Sequence, residues 1–325
     1  MSQKDVIALA TEAREKMASY AYSPWVQFSS PVINGRFVKT NGLRRSNGTS
    51  SDWATRMPDK NHFDIYFFGG STMFGFAAPD NDSIPANFEK ISPKEWNVRT
   101  YNFGVPYYFS RQETMLFEYL IRRGEKPKVA VFLDGINDSL LAKAAYNREP
   151  FLTPLLRRRM DIPLDITSGI LNTNIFRSLH TIGLAPSISS LTHTYFSPPE
   201  NVPIELVADQ IINNYLENIK FTKKLCLQYD IQCYFFWQPT SMFNYHNLDD
   251  KVSAQEASPL LKIIYNRMSS IKNTPPEFIN LSNMLNNFKE QPFVDEFHYS
   301  GLFMKSIAKE IMKDVHPNLK TTDHE

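Results

Sequence analysis

Cysteine and glycine are both scarce in this chain, and net charge is nearly absent. Only Cys226 and Cys233 occur in 325 residues, which excludes a disulfide-stapled scaffold and a cysteine-type zinc cage. The pair flanks a helix-to-strand turn and is expected to be two buried thiols rather than a redox couple. Lys and Arg number 35 against 34 Asp and Glu, a formal charge of +1, so bulk charge calls for neither nucleic acid nor an anionic membrane. Twelve glycines against 21 prolines invert the usual order and suggest long, stiff connections. No His/Asp/Glu cluster has ligand spacing, so neither a metal nor another cofactor is implied.

The first 20 residues hold no apolar run. Lys4, Asp5, Glu12, Arg14, Glu15 and Lys16 interrupt them, so they form neither a signal-peptide core nor a membrane span. Taken as it stands the chain is expected in the cytoplasm; were an anchor to precede this charged helix, it would be periplasmic or secreted. What the chain does have is apolar and aromatic content, 42% and 13%, enough for a sizeable core.

Helical periodicity covers residues 3–19, and residues 21–60 read as a lead-in without a sustained period. A rhythm then begins. Apolar runs at Asp64–Gly70, Val98–Gly104, Val129–Gly135, Ile231–Gln238 and Phe278–Leu281 have strand character. Helices fall between them. Ser110 with Glu113 has the form of a capping box before a helix over 111–123, and the stripe from Val207 to Ile219 runs on toward Tyr229. Ser258-Pro259 opens a third helix, and Met304, Ile307, Ala308 and Ile311 mark the last. Strands alternating with helices predict a three-layer α/β/α sandwich around a parallel sheet of about five strands. The organisation expected is an N-terminal helix and lead-in over 1–60, then one domain over 61–325 with an insertion at about 140–204.

In an open parallel sheet, ligands bind beyond the carboxyl ends of the strands. After the first strand come Gly69-Gly70-Ser71-Thr72, after the second Gly104-Val105-Pro106, and after the third Gly135-Ile136-Asn137-Asp138. Asp295-Glu-Phe-His298 precedes the last helix. These residue types suit acyl transfer. A serine hydroxyl needs an imidazole to take its proton, the imidazole needs a carboxylate, and the tetrahedral intermediate needs oxyanion donors. Ser71, His298 and Asp295 fill the first roles. The N–H groups of Ser71 and Gly104 and the Asn137 amide could fill the last, with glycine at 104 leaving room for substrate. Asp138 has the character of a helix cap.

The blocks FGGSTMFG, NFGVP, DGINDS and DEFHYSGLF, in this order, resemble those of the SGNH hydrolases, also called GDSL esterases and lipases. The resemblance spans about 60–315 and implies a flavodoxin-like fold. It further implies ester hydrolysis or transfer with Ser71 as nucleophile, Gly104 and Asn137 as oxyanion donors, and Asp295 with His298 as the base pair. Gly70 stands where the family usually has Asp, so lipase-like specificity does not follow. Gly70 and Gln238, the latter in Phe-Trp-Gln-Pro after the fourth strand, are candidate substrate contacts. The function expected is removal of a small acyl group, acetyl in the simplest case, from a polar substrate such as a carbohydrate. The alternatives are an O-acyltransferase to a sugar hydroxyl using the same residues, and a catalytically silent binding module on the same fold.

Overall fold

The computed structural model describes residues 8–9, 11–12, 21–23, 25–30, 32–40, 62–76, 78–148, 198–199, 201–245 and 258–319. Arg44, Arg45, Arg157–Arg159, His246 and most of the expected insertion lie outside them. In chain order the elements are β1 (Ala21–Ser23), β2 (Gln27–Ser29), β3 (Ile33–Asn34), β4 (Lys39–Thr40), β5 (Phe63–Gly69), α1 (Ser71–Phe74) and α2 (Ile84–Ile91). Then follow β6 (Val98–Gly104), α3 (Ser110–Arg122), β7 (Val129–Asp134), α4 (Ile136–Leu140) and α5 (Ala142–Asn147). The chain continues with α6 (Ile204–Gln228), β8 (Gln232–Trp237), α7 (Pro259–Ser269), β9 (Phe278–Asn280) and α8 (Gly301–Leu319).

Strands β5 to β9 form one parallel sheet in the order β6-β5-β7-β8-β9. The five expected strands are the five observed, to within a residue or two at each end. Side chains alternate between two cores, as the period of two demands. Tyr66, Phe68, Phe132 and Phe235 face α3, α6 and α7. Ile65, Phe67, Val131 and Phe236 face α2 and α8. The result is the α/β/α sandwich. On the first face, Phe103, Phe68, Phe132 and Phe235 stack across four strands, with centroids 5.3, 4.8 and 5.2 Å apart and planes within 15° of parallel.

Several local readings differ from the structure. Ser110 and Glu113 do not make a capping box: Ser110 is the first helical residue of α3, and its hydroxyl donates to Asp138 Oδ1 at 2.6 Å. Glu113 is buried against Asp134 instead. Tertiary partners override the local motif. Cys226 and Cys233 are joined in a disulfide rather than free. The turn between α6 and β8 brings their Cα atoms to 6.2 Å, inside the range a bridge requires. Residues 142–147, expected within the insertion, form α5, whose Ala142, Ala144 and Ala145 belong to the core.

The lead-in carries structure of its own. β1 pairs with β2 and β3 with β4, in strands of two or three residues, too short for periodicity to reveal. The first hairpin is tied to the start of α3, where the Tyr108 hydroxyl donates to the Phe28 carbonyl and Gln112 Nε2 to the Val26 carbonyl. The second is tied to the loop before α2 through Asp80, which accepts from Lys39 N at 3.1 Å and donates its own N–H to Phe37 O. Glu12 accepts from the backbone of Arg36, Phe37 and Val38. Among the described residues no helix is long and apolar enough to cross a membrane.

Phe132 stands at the centre of the phenylalanine stack and is 2% exposed. Phe132→Ala should therefore cost about 3–5 kcal/mol in denaturant unfolding. A loss below about 1 kcal/mol would show that the stack does not hold the sheet together.

Candidate functional site

The sheet order is that of a doubly wound sheet, in which the chain leaves the first strand to one side and returns to the other. The crevice outside the carboxyl ends of β5 and β7 is thus the place where loops diverge. Gly70-Ser71 lies at one lip and Gly135-Ile136-Asn137 at the other.

Ser71 opens α1, so its N–H has no acceptor within the helix. The side chain is half-exposed. Over the preceding residue lies the Asn137 amide: a Cβ at Gly70 would stand 2.3 Å from Asn137 Nδ2 and 3.0 Å from Tyr108 O. A side chain at residue 70 would therefore crowd the Asn137 amide. One Asn137 amide hydrogen goes to Tyr108 O at 2.6 Å. The other has no partner among the described residues. Ser71 N–H and Asn137 Nδ2 are thus two donors at one edge of α1.

Gly104 does not join them. Its N–H donates to Asn102 Oδ1 at 2.9 Å, and Asn102 in turn donates from Nδ2 to Met73 O at 3.0 Å. A Cβ at 104 would stand 2.3 Å from the Phe74 backbone nitrogen. Glycine is needed here so that α1 can lie on β6, not so that substrate can approach the backbone. Beyond it, Val105–Tyr108 makes a turn with Tyr107 at φ 67° and 40% exposed. A left-handed tyrosine beside the carbonyl that receives Asn137 marks a constrained rim. The sequence carried no signal for it, since tyrosine is not a residue that announces positive φ.

His298 and Asp295 sit in the loop before α8. His298 Nδ1 lies 2.8 and 2.9 Å from the two Asp295 carboxylate oxygens. Asp295 Oδ1 also accepts from the backbone N–H groups of Phe297 and His298. Burial alone would raise the Asp295 carboxyl, but the His298 bond and charge, with the two backbone donors, bring it below the usual value. The carboxylate therefore holds the Nδ1 proton and leaves the Nε2 lone pair directed away from it. The loop is pinned to the end of β8 by Tyr299, whose hydroxyl donates to Pro239 O, and by Ser241, whose hydroxyl donates to Glu296 O, both at 2.6 Å. Phe76, two residues past α1, stacks on the His298 ring at 4.5 Å and donates its N–H to Ser71 O at 3.1 Å. Serine and imidazole are thus linked through one residue. No direct hydrogen bond joins them among the described residues.

Gln238 is 2% exposed and points inward, where Oε1 accepts from the Thr72 hydroxyl at 3.0 Å. It steadies the turn that carries Ser71 instead of presenting a surface to substrate. Beneath Asn137 lies an acidic cluster that sequence reasoning did not foresee. Burial pushes the carboxyls of Glu113, Asp134 and Asp138 up, and the charge of neighbouring Asp134 raises Glu113 further. Asp138 reaches about 6: burial raises it, and hydrogen bonds from Ser110 and from the Gly135 turn only partly offset the effect. It is a helix cap, as its position suggested, accepting from Ser110 at the start of α3 as well as from the Gly135 and Asp138 backbone at the start of its own helix.

No family model and no curated protein matches the chain. Similar solved structures include a carbohydrate acetylesterase family member from Sinorhizobium meliloti, with 9% identity, 79% of this chain and 99% of that chain covered, and a TM-score of 0.41. Another is a single-substitution variant of an acetyl xylan esterase from Geobacillus stearothermophilus, with 12% identity, 78% of this chain and 94% of that chain covered, and a TM-score of 0.38.

The acidic cluster gives a pH signature. The folded state raises Asp138 from 3.8 to about 6, so its protonated form favours folding. That stabilisation is complete below pH 3.8 and lost as the pH rises through about 6. Asp138→Asn cannot titrate, so its Tm should gain on the parent's as the pH rises across this window. A constant difference between the two would refute the assignment.

Proposed function

We propose that the protein is a serine esterase. Ser71 Oγ attacks the ester carbonyl carbon while its proton passes to His298 Nε2. Asp295 keeps the Nδ1 proton in place and balances the imidazolium that forms. The tetrahedral oxyanion takes hydrogen bonds from Ser71 N–H and Asn137 Nδ2, two donors in place before the charge develops. The C–O bond to the leaving group then breaks as the imidazolium protonates the departing alkoxide. Water, deprotonated by the same imidazole, attacks the acyl-enzyme, and collapse of the second intermediate returns the Ser71 hydroxyl and releases the acid.

The observation that carries this reading is the Asp295–His298 pair, bonded at 2.8 Å, on the rim where Ser71 opens a helix and Asn137 is laid across Gly70. The substrate follows from the resemblance of the four sequence blocks: a small acyl ester, acetyl in the simplest case, on a polar carrier such as a carbohydrate. A net charge of +1 suits a neutral substrate. The Cys226–Cys233 disulfide favours an oxidising compartment, the periplasm or the exterior, over the cytoplasm.

In a folded protein, Ser71→Ala should reduce p-nitrophenyl acetate hydrolysis by roughly 10⁴-fold or more and abolish labelling by a fluorophosphonate. An unchanged rate with parental Tm would sink the proposal. For the compartment, protein taken from its native host and denatured without reductant should accept no iodoacetamide. Uptake at both cysteines would instead favour the cytoplasm.

A further inference from the structure

The proposed base is constrained on its face as well as at its nitrogen. The bond from Nδ1 to Asp295 lies in the ring plane and leaves the imidazole free to tilt about it. Phe76 removes that freedom, because its ring lies against the imidazole at 4.5 Å with the planes 25° apart. Its own position is determined by the short helix before it. Gly75, at φ 75°, ends α1 after one turn and donates to the Ser71 and Thr72 carbonyls, and Phe76 N–H then returns to Ser71 O. A side chain at residue 75 would strain this left-handed step, so the FG of the first block is what aims Phe76 at the site.

Phe76 is also backed by the lead-in. It packs against the cluster of Leu9, Ile33, Val38 and Phe74, in which Leu9 and Val38 are at most 1% exposed. That cluster draws on residues outside the part of the chain that resembles the hydrolases. An aromatic face also attracts the imidazolium that forms when the serine proton is taken.

We propose that Phe76, braced by the N-terminal lead-in, is a positioning residue that holds the His298 ring in the orientation proton transfer needs. This rests on the reading of His298 as the general base. The test is a cycle with Phe76→Leu and Phe76→Tyr, each made in the parent and in His298→Ala, with p-nitrophenyl acetate as substrate and Tm recorded for every variant. In the parent, Phe76→Leu should lower kcat by about 10- to 100-fold with KM within about twofold, the scale of a misplaced catalytic group. Phe76→Tyr keeps the ring and should restore most of kcat. In His298→Ala, Phe76→Leu should cause no further loss, because the group it acts through is gone. If Phe76→Leu does not fold, Phe76→Met removes the ring at similar volume and is read the same way.

An equal fractional loss in both backgrounds, a change confined to KM, or an unchanged kcat in a folded variant would overturn the proposal while leaving His298 as base. Full activity in His298→Ala would overturn both.

Discussion

Register between neighbouring strands is the constraint on which everything else rests. The stack of Phe103, Phe68, Phe132 and Phe235 crosses β6, β5, β7 and β8, and each contact joins residues paired in the sheet. A slip of one residue would turn every ring to the opposite face and exchange the two cores. The same register aligns Gly69 with Gly104 and Leu133, and Asp134 with Trp237, so the four strands end together. Gly70 and Asn137 meet because their strands stop at the same level.

From that edge outward, close approach takes over from regular structure. α1 lies so near β6 that Gly104 can carry no side chain, and a side chain at Gly70 would displace the Asn137 amide. Two glycines, conspicuous in the sequence as bare backbone near the chemistry, serve packing between elements. Asn102 Nδ2 then donates to the Met73 carbonyl, and Gln238 Oε1 accepts from the Thr72 hydroxyl. The serine turn is thereby held from both sides by buried amides.

The acidic cluster and the lead-in solve a related problem. Helices α3 and α4 reach the edge from opposite lips, and Asp138 on one caps the other through Ser110. Holding three carboxyls out of water raises their proton affinity, and a protonated carboxyl costs less to bury than a charged one. On the far side, β3, β4 and the segment around Leu9 pack against Phe74 and Phe76. The N-terminal segment and the lead-in thus form a wall beside the proposed base.

The sequence by itself determined the five strands, the main helices and the residues at the strand ends. Runs such as Val129–Asp134 can only be buried strands, Ser258-Pro259 caps its helix from within, and Asp295 reaches His298 because three residues of one turn suffice. These are local matters, set by period and spacing. It missed α2, although Ser83 followed by Pro85 is a start signal, and it missed β1 to β4, whose few residues have no period to detect. What only the tertiary structure decided depends on partners distant in the chain. It sent Gly104 N–H to Asn102, turned Gln238 inward to Thr72, took Ser110 from its own helix cap to Asp138, and laid Phe76 on His298. A backbone or side-chain donor has several possible acceptors, and the choice among them is made by packing, which no stretch of sequence specifies alone.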